Sequence, residues 1–298
     1  MKKMMICALS AALMLINAAC TRDADGCEVD VAVGSADSMQ AKTITFTFSD
    51  AVSQQAMTRS SLADLEITDL WVYEFSDGDG DGLTAADGTL LLHQSATDDG
   101  FGAVRLTLKY GQHDLRFVAS RGSEPTADTG VITWVKPSDT FWGEMAVDVS
   151  PSAASSLSVT LRRVATRLVI KVTDEIPASA AALSVVPDAW YYGLDVLTGE
   201  GCDARRQERE IQIPASYRGT SGRLSASFFG LSPADGWQTD VSVTMKDGGG
   251  DVIGSVSLPG VGFNRNVTTT YSGGLIGAGR AVTVSVDDEW GEDYAHEW

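Results

Sequence analysis

Between residues 77 and 88 the chain reads DGDGDGLTAADG, with Asp77, Asp79 and Asp81 at alternate positions ahead of Gly82. That spacing matches the opening of a calcium loop, in which alternate carboxylates converge on one cation and a glycine turns the chain. The twelfth position, where such a loop needs a bidentate glutamate, is Gly88, and Asp87 falls one residue early. The flanking runs LWVYEF and TLLLHQ read as strands, whereas a calcium loop of this kind joins helices. The same residues therefore also read as an acidic hairpin loop turned by its glycines, with weak calcium binding as the other possibility.

Other reactive side chains form no recognisable constellation. His93, His113 and His296 are the only histidines and have no metal-ligand spacing. The sequence contains no G-x-S-x-G elbow, phosphate-binding loop or C-x-x-C pair. With 40 acidic residues on the chain, no single carboxylate pair points to glycoside hydrolysis. We expect no catalytic residue, no cofactor and no enzyme activity. The seven tryptophans could include a sugar-stacking platform, but Trp71 and Trp134 lie in alternating runs and are expected to face a core.

Cys20 carries the clearest chemistry. It ends MKKMMICALSAALMLINAAC, where Lys2 and Lys3 precede a short apolar run and Ala18 and Ala19 precede the thiol. The layout is that of a secretory signal over residues 1–19, and the cysteine after small residues resembles a bacterial lipobox. Asn17 departs from that pattern, and ordinary secretion is the alternative. If lipidated, Cys20 would hold the chain on a membrane through several acyl chains, since one chain binds only marginally. Residues 20–41 are polar and acidic and read as a flexible tether. Cys27 and Cys202 remain, and nothing in the sequence brings them together.

Charge narrows the partners. The formal net charge is −18, with 22 basic residues. A surface this acidic repels phosphate backbones, which argues against nucleic acid.

Beyond the tether the period is two. In KTITFTF, Ile44, Phe46 and Phe48 alternate with threonines, and GAVRLTLKY, HDLRFVAS, TDVSVTMKD and AVTVSVDD follow the same rule. SSLADLEI and ASAAALSVV are the best short helical candidates. The stretch SPSAASS at 150–156 reads as a linker, followed by LSVTLRRVATRLVIKV as a strand leaving one domain and opening the next. The expected fold is all-β, with two tandem antiparallel β-sandwich domains over residues 42–156 and 157–298. Val282, Val284 and Val286 alternate near the C-terminus and present one apolar face. They suit either a closing strand of the second sandwich or a strand donated to a partner, with Trp290 as a docking residue.

Three stretches in order, QAMTRSS with LADLEITDLWVYEF, LRRVATRLVIKV, and GFNRNVTTTYSGGL before VTVSVDDEW, resemble the fimbrillin superfamily of Bacteroidales type V pili. The chain is most similar to the FimB-like fimbrial anchor lipoproteins. The resemblance implies transthyretin-like sandwiches, anchorage in the outer membrane by an acylated (palmitate-bearing) Cys20, and fimbrial stalk subunits as partners. It also implies assembly by donor-strand exchange, in which an Arg-specific protease opens a groove in stalk subunits while anchors keep their N-terminal strand. Arg59 is the candidate cleavage position, and cleavage there would imply a stalk or tip fimbrillin. The alternative from another class is a surface glycan-binding lipoprotein of a nutrient-uptake system.

Overall fold

The computed structural model describes residues 40–50, 56–57, 62, 65–78, 80–276 and 282–287. The described residues all belong to one compact unit. Among the described residues the regular elements are strands, apart from two single-turn 3-10 helices, Ala85–Asp87 and Ala215–Tyr217, and helical backbone at Leu62, and the fold is all-β.

The first half contains β1 (Ala41–Asp50), β2 (Ala56–Met57), β3 (Asp69–Phe75), β4 (Gly88–Ser95), β5 (Val104–Lys109), β6 (Gly111–Ser120), β7 (Ser123–Asp128), β8 (Val131–Lys136), β9 (Thr140–Val149) and β10 (Ser156–Arg163). Strands β5, β1 and β10 make one layer, and β9, β6, β3 and β4 the other. β10 joins the layers, pairing with β1 up to Leu161 and with β9 through Arg162 and Arg163. Alternation decides what lies between them. In β5, Val104, Leu106 and Leu108 are buried while Arg105, Thr107 and Lys109 are exposed, and Leu70, Val72, Leu115 and Phe117 meet them from the facing layer.

The second half runs through β11 (Ala165–Val172), β12 (Ala180–Pro187), β13 (Trp190–Asp195), β14 (Glu200–Arg205), β15 (Arg209–Gln212), β16 (Leu224–Leu231), β17 (Trp237–Asp247), β18 (Val252–Phe263), β19 (Thr268–Gly273) and β20 (Val282–Asp287). The sheet β16-β11-β19-β20 faces the sheet β15-β12-β17-β18 across a core that includes Leu168, Ile170, Val185, Val243 and Phe263. The segment ASAAALSVV is thus largely strand β12 and not a helix, because Leu183 and Val185 alternate into this core. Half of SSLADLEI lies outside the described residues; of the rest, Leu62 is helical and buried, and Leu65 and Glu66 form a turn.

A third four-stranded sheet, β14-β13-β8-β7, takes two strands from each half. It covers a third core containing Trp71, Tyr73, Phe75, Trp134, Trp142, Leu194 and Phe229. β3 therefore buries both faces, with Leu70 and Val72 in the first core and Trp71, Tyr73 and Phe75 in the third. Each large side chain withdrawn from water contributes about 1.5–3 kcal/mol, so this core binds the halves together. Residues 150–155 connect β9 to β10 within the first sandwich and are not an interdomain linker; the chain crosses between halves at Val164. Two ladders, β1 with β10 and β11 with β19, run parallel, because early and late strands of each half meet side by side.

Candidate functional site

β1 is an N-terminal strand set between two neighbours. Ala41 to Phe46 pair antiparallel with β5, and Thr45 to Asp50 pair parallel with β10. Ile44, Phe46 and Phe48 are at most 2% exposed, and both phenylalanines pack on Phe117, with ring centroids 5.3 and 5.8 Å away. Polar groups on the other face tie both flanks: the Thr43 and Thr107 hydroxyls are 2.9 Å apart, and Thr47 Oγ1 donates to Leu157 O at 3.2 Å. Lys42 Nζ donates to the carbonyls of Pro151 and Ala153. β2 then pairs back on Phe48 and Ser49, so β1 and β2 both precede Arg59 in the chain. Arg59 itself lies outside the described residues. Without β1, the backbones of β5 and β10 would lose their ladders and three apolar pockets would open to water.

The C-terminal strand has the opposite character. Among the described residues β20 pairs only with β19, at the edge of its sheet. Thr283, Val284, Ser285 and Val286 are all exposed, with Val284 at 50% and Val286 at 66%. It takes the place of an edge strand but adds none of these four side chains to the core. Val282 pairs in the ladder opposite Gly273, and Trp290 lies outside the described residues.

Most remaining sequence candidates have structural surroundings. Asp77 accepts backbone hydrogen bonds at both carboxylate oxygens, from Gly80 N at 2.6 Å and Gly82 N at 3.2 Å, and so folds the acidic loop on itself. Asp81 is exposed, Asp79 lies outside the described residues, and among the described residues no group of His, Cys, Asp or Glu could hold a metal. Trp71, Trp134, Trp142 and Trp190 are buried, and Trp237 packs on Trp190 and Phe263. His93 stacks on Trp71 at 4.9 Å and meets Asp69 at 2.8 Å, while His113 bridges Glu74 and Lys109 O, so both hold strands together. Burial, and then Asp195 and Asp203, push the Cys202 thiol up to about 11, leaving it a poor nucleophile at neutral pH. Cys20 and Cys27 lie outside the described residues.

Pattern reading did not assign a role to the arginines of LRRVATR. Arg163 holds Asp139 with two hydrogen bonds, donates to Asn266 Oδ1 at 3.1 Å and lies over Phe141. Arg162 covers the Trp142 ring at 4.5 Å, and Trp142 Nε1 donates to Val196 O at 2.8 Å. Gly199, with φ +69°, lies against that indole; a Cβ there would come within 2.6 Å of it. Arg167 Nε donates to Thr268 Oγ1, and Arg265 donates to Gly199 O and Ser232 O. The cluster clamps the crossing between halves. Its sequence signal was the density of arginines within otherwise β-branched strands.

Solved structures share this fold. A candidate polysaccharide-binding protein from Bacteroides thetaiotaomicron aligns with a TM-score of 0.52 at 10% identity, over 83% of this chain and 96% of that one. A candidate adhesin from Bacteroides ovatus gives 0.50 at 12% identity, over 83% and 94%. The fimbrial anchor protein Mfa2 from Porphyromonas gingivalis gives 0.47 at 11% identity, over 83% and 98%. At such identities the likeness is one of fold. No protein-family profile and no curated protein matches the sequence.

Proposed function

We propose that the protein is a lipid-anchored surface subunit of a fimbria, which holds the base of the fibre in the outer membrane and ends its assembly. The observation that carries this reading is the contrast between its terminal strands. β1 fills a two-sided groove with Ile44, Phe46 and Phe48, whereas β20 sits at an edge with Val284 and Val286 in solvent. A subunit that keeps β1 offers no groove for an incoming strand, and β20, at a sheet edge with its side chains outside the core, is placed to augment a neighbour's sheet. Val282, Val284, Val286 and Trp290 are the docking residues in this reading, fimbrial stalk subunits the partners, and Cys20 the acylated anchor.

The sequence resemblance and the fold shared with the Bacteroides ovatus candidate adhesin support a place at the cell surface. The arginine clamp supports a mechanical role, since a fibre's base must pass tension from one sandwich to the other. The glycan-binding alternative based on tryptophans loses support, because four of the five described tryptophans are buried and the half-buried Trp237 packs on Trp190 and Phe263.

Membrane fractionation and intact-mass analysis test the proposal. The wild-type protein should carry a fatty-acid label at Cys20 and retain residues 41–50, and Cys20→Ala should move it out of the membrane fraction. Recovery chiefly as a fragment beginning at Ser60 would replace the anchor with a stalk or tip subunit. An unlabelled wild-type protein that stays in the membrane would remove the lipid.

A further inference from the structure

A second feature lies at the seam between the halves, away from both terminal strands. The end of β8 meets β15 and β16 around a cavity of about 180 Å³. Its lining includes Lys136, Arg209, Ile211, Ser227, Phe228 and Phe229. On a chain of net charge −18 this site presents two cations, and among the described residues neither has an ion-pair partner. Glu210 also borders the cavity, but Lys246 Nζ at 3.3 Å and Gln212 Nε2 at 3.1 Å already engage its carboxylate.

Arg209 is poorly satisfied by the protein. Among the described residues its buried Nε has no hydrogen-bond partner, and its guanidinium makes one long bond, from Nη2 to Val135 O at 3.4 Å. The Tyr192 hydroxyl, on a fully buried residue, also has no partner among the described residues. Tyr192 and Arg209, with Phe228, line a water-sized space of about 10 Å³, and the guanidinium lies 5.2 Å from the Tyr192 ring centre. Tyr192 lines this smaller space and not the larger cavity, whereas Arg209 borders both. Buried polar groups are nearly always paired, so it is the poorly met guanidinium of Arg209 that marks the larger cavity as a place where another group completes the bonding.

We infer that the cavity bordered by β8, β15 and β16 binds a carboxylate-bearing monosaccharide unit, such as a uronate or sialate residue. Arginine presents a planar fork that matches a carboxylate, and Lys136 adds a second charge. Ser227 can bond a sugar hydroxyl, while Phe228 and Ile211 offer apolar contact to the C–H face of a pyranose. The cavity is smaller than the roughly 300–1,000 Å³ of sites for drug-sized ligands, which suits one sugar ring. This goes beyond the role in fibre anchoring, and its test can fail with that role intact.

Calorimetric titration of the full-length protein with D-glucuronate, N-acetylneuraminate, D-glucose and inorganic phosphate tests the inference. An acidic sugar should bind at least tenfold more tightly than glucose. Arg209→Gln should cost a further tenfold or more, and Lys136→Gln several-fold, with circular dichroism unchanged. Lys136 is exposed, so K136Q remains informative if R209Q fails to fold. Absence of binding by either acidic sugar at millimolar concentration, or equal binding of glucose, overturns the site. Phosphate bound as tightly as the sugars overturns the sugar assignment in favour of a general anion site.

Discussion

Arg163 grips Asp139 with two parallel hydrogen bonds, Nε to Oδ1 at 2.6 Å and Nη2 to Oδ2 at 2.9 Å, while its third nitrogen reaches Asn266 in the other half. The pair stands at the crossing point of the chain, and its side chains are 12% and 4% exposed. Bidentate geometry gives direction as well as strength, so the two sandwiches are held in one orientation. A hinge of polar linker residues at 150–156 would have allowed them to swing.

Removing one partner of a buried, hydrogen-bonded ion pair strands the other. Arg163→Ala should destabilise the fold by about 3–5 kcal/mol, lowering the urea midpoint. Because the third core joins the halves, wild-type unfolding should be one transition by both tryptophan fluorescence and far-ultraviolet circular dichroism. Two separated transitions in the wild type would show that the halves are independent.

The β1 groove should accept its strand in trans. Phe46→Ala removes a side chain only 1% exposed and should cost about 3–5 kcal/mol. A protein cleaved after Arg59 should regain thermal stability on addition of the peptide AKTITFTFSD, and a peptide with Phe46 replaced by Asp should fail to restore it. Equal rescue by both peptides would mean that backbone pairing alone, without the apolar pockets, secures the strand.

Substitution on β20 should separate stability from assembly. Val284→Asp with Val286→Asp alters two exposed side chains, so the unfolding free energy should change by no more than roughly 0.5 kcal/mol per site. Fibres should nonetheless be shed into the medium when this variant replaces the wild type. Deletion of residues 281–298 should give the same phenotype in a protein that remains folded. Degradation of that truncated protein would place the strand in the domain's own stability.

Alkaline pH should weaken the fold. Burial, and then Asp128, push Tyr73 up to about 12, and the Cys202 thiol is raised to about 11. Both groups are neutral when protonated, and their pKa values are higher folded than unfolded. In that window the native state binds more protons than the unfolded chain, so stability falls as pH rises from about 9 to about 12. Urea midpoints measured across this range check the sign. Cys202→Ser should remove the part between about 9 and 11, and native Cys202 should react with a thiol reagent far more slowly at pH 8 than in denaturant.

Much of the fold was legible in the residues themselves. Period-two alternation marks Ile44, Phe46 and Phe48 as one face of a strand, and the same rule identifies β5 and β17, because successive side chains must point to opposite sides of a pleated backbone. Alternation says which residues share a face but not what covers it. The tertiary structure decided that Trp71, Tyr73 and Phe75 lie under a third sheet, since their cover, β8 and β13, comes from distant segments. It decided that β1 runs parallel to β10, and that Val284 and Val286 stay in solvent, since among the described residues no second layer covers the sheet edge where β20 lies. It also turned the Asp77 carboxylate toward the amides of Gly80 and Gly82, and left Arg209 beside a cavity with no ion-pair partner among the described residues, since Lys246 engages the neighbouring Glu210. Local sterics set the strands; long-range packing chose their neighbours, and with them the groove, the edge and the cavity.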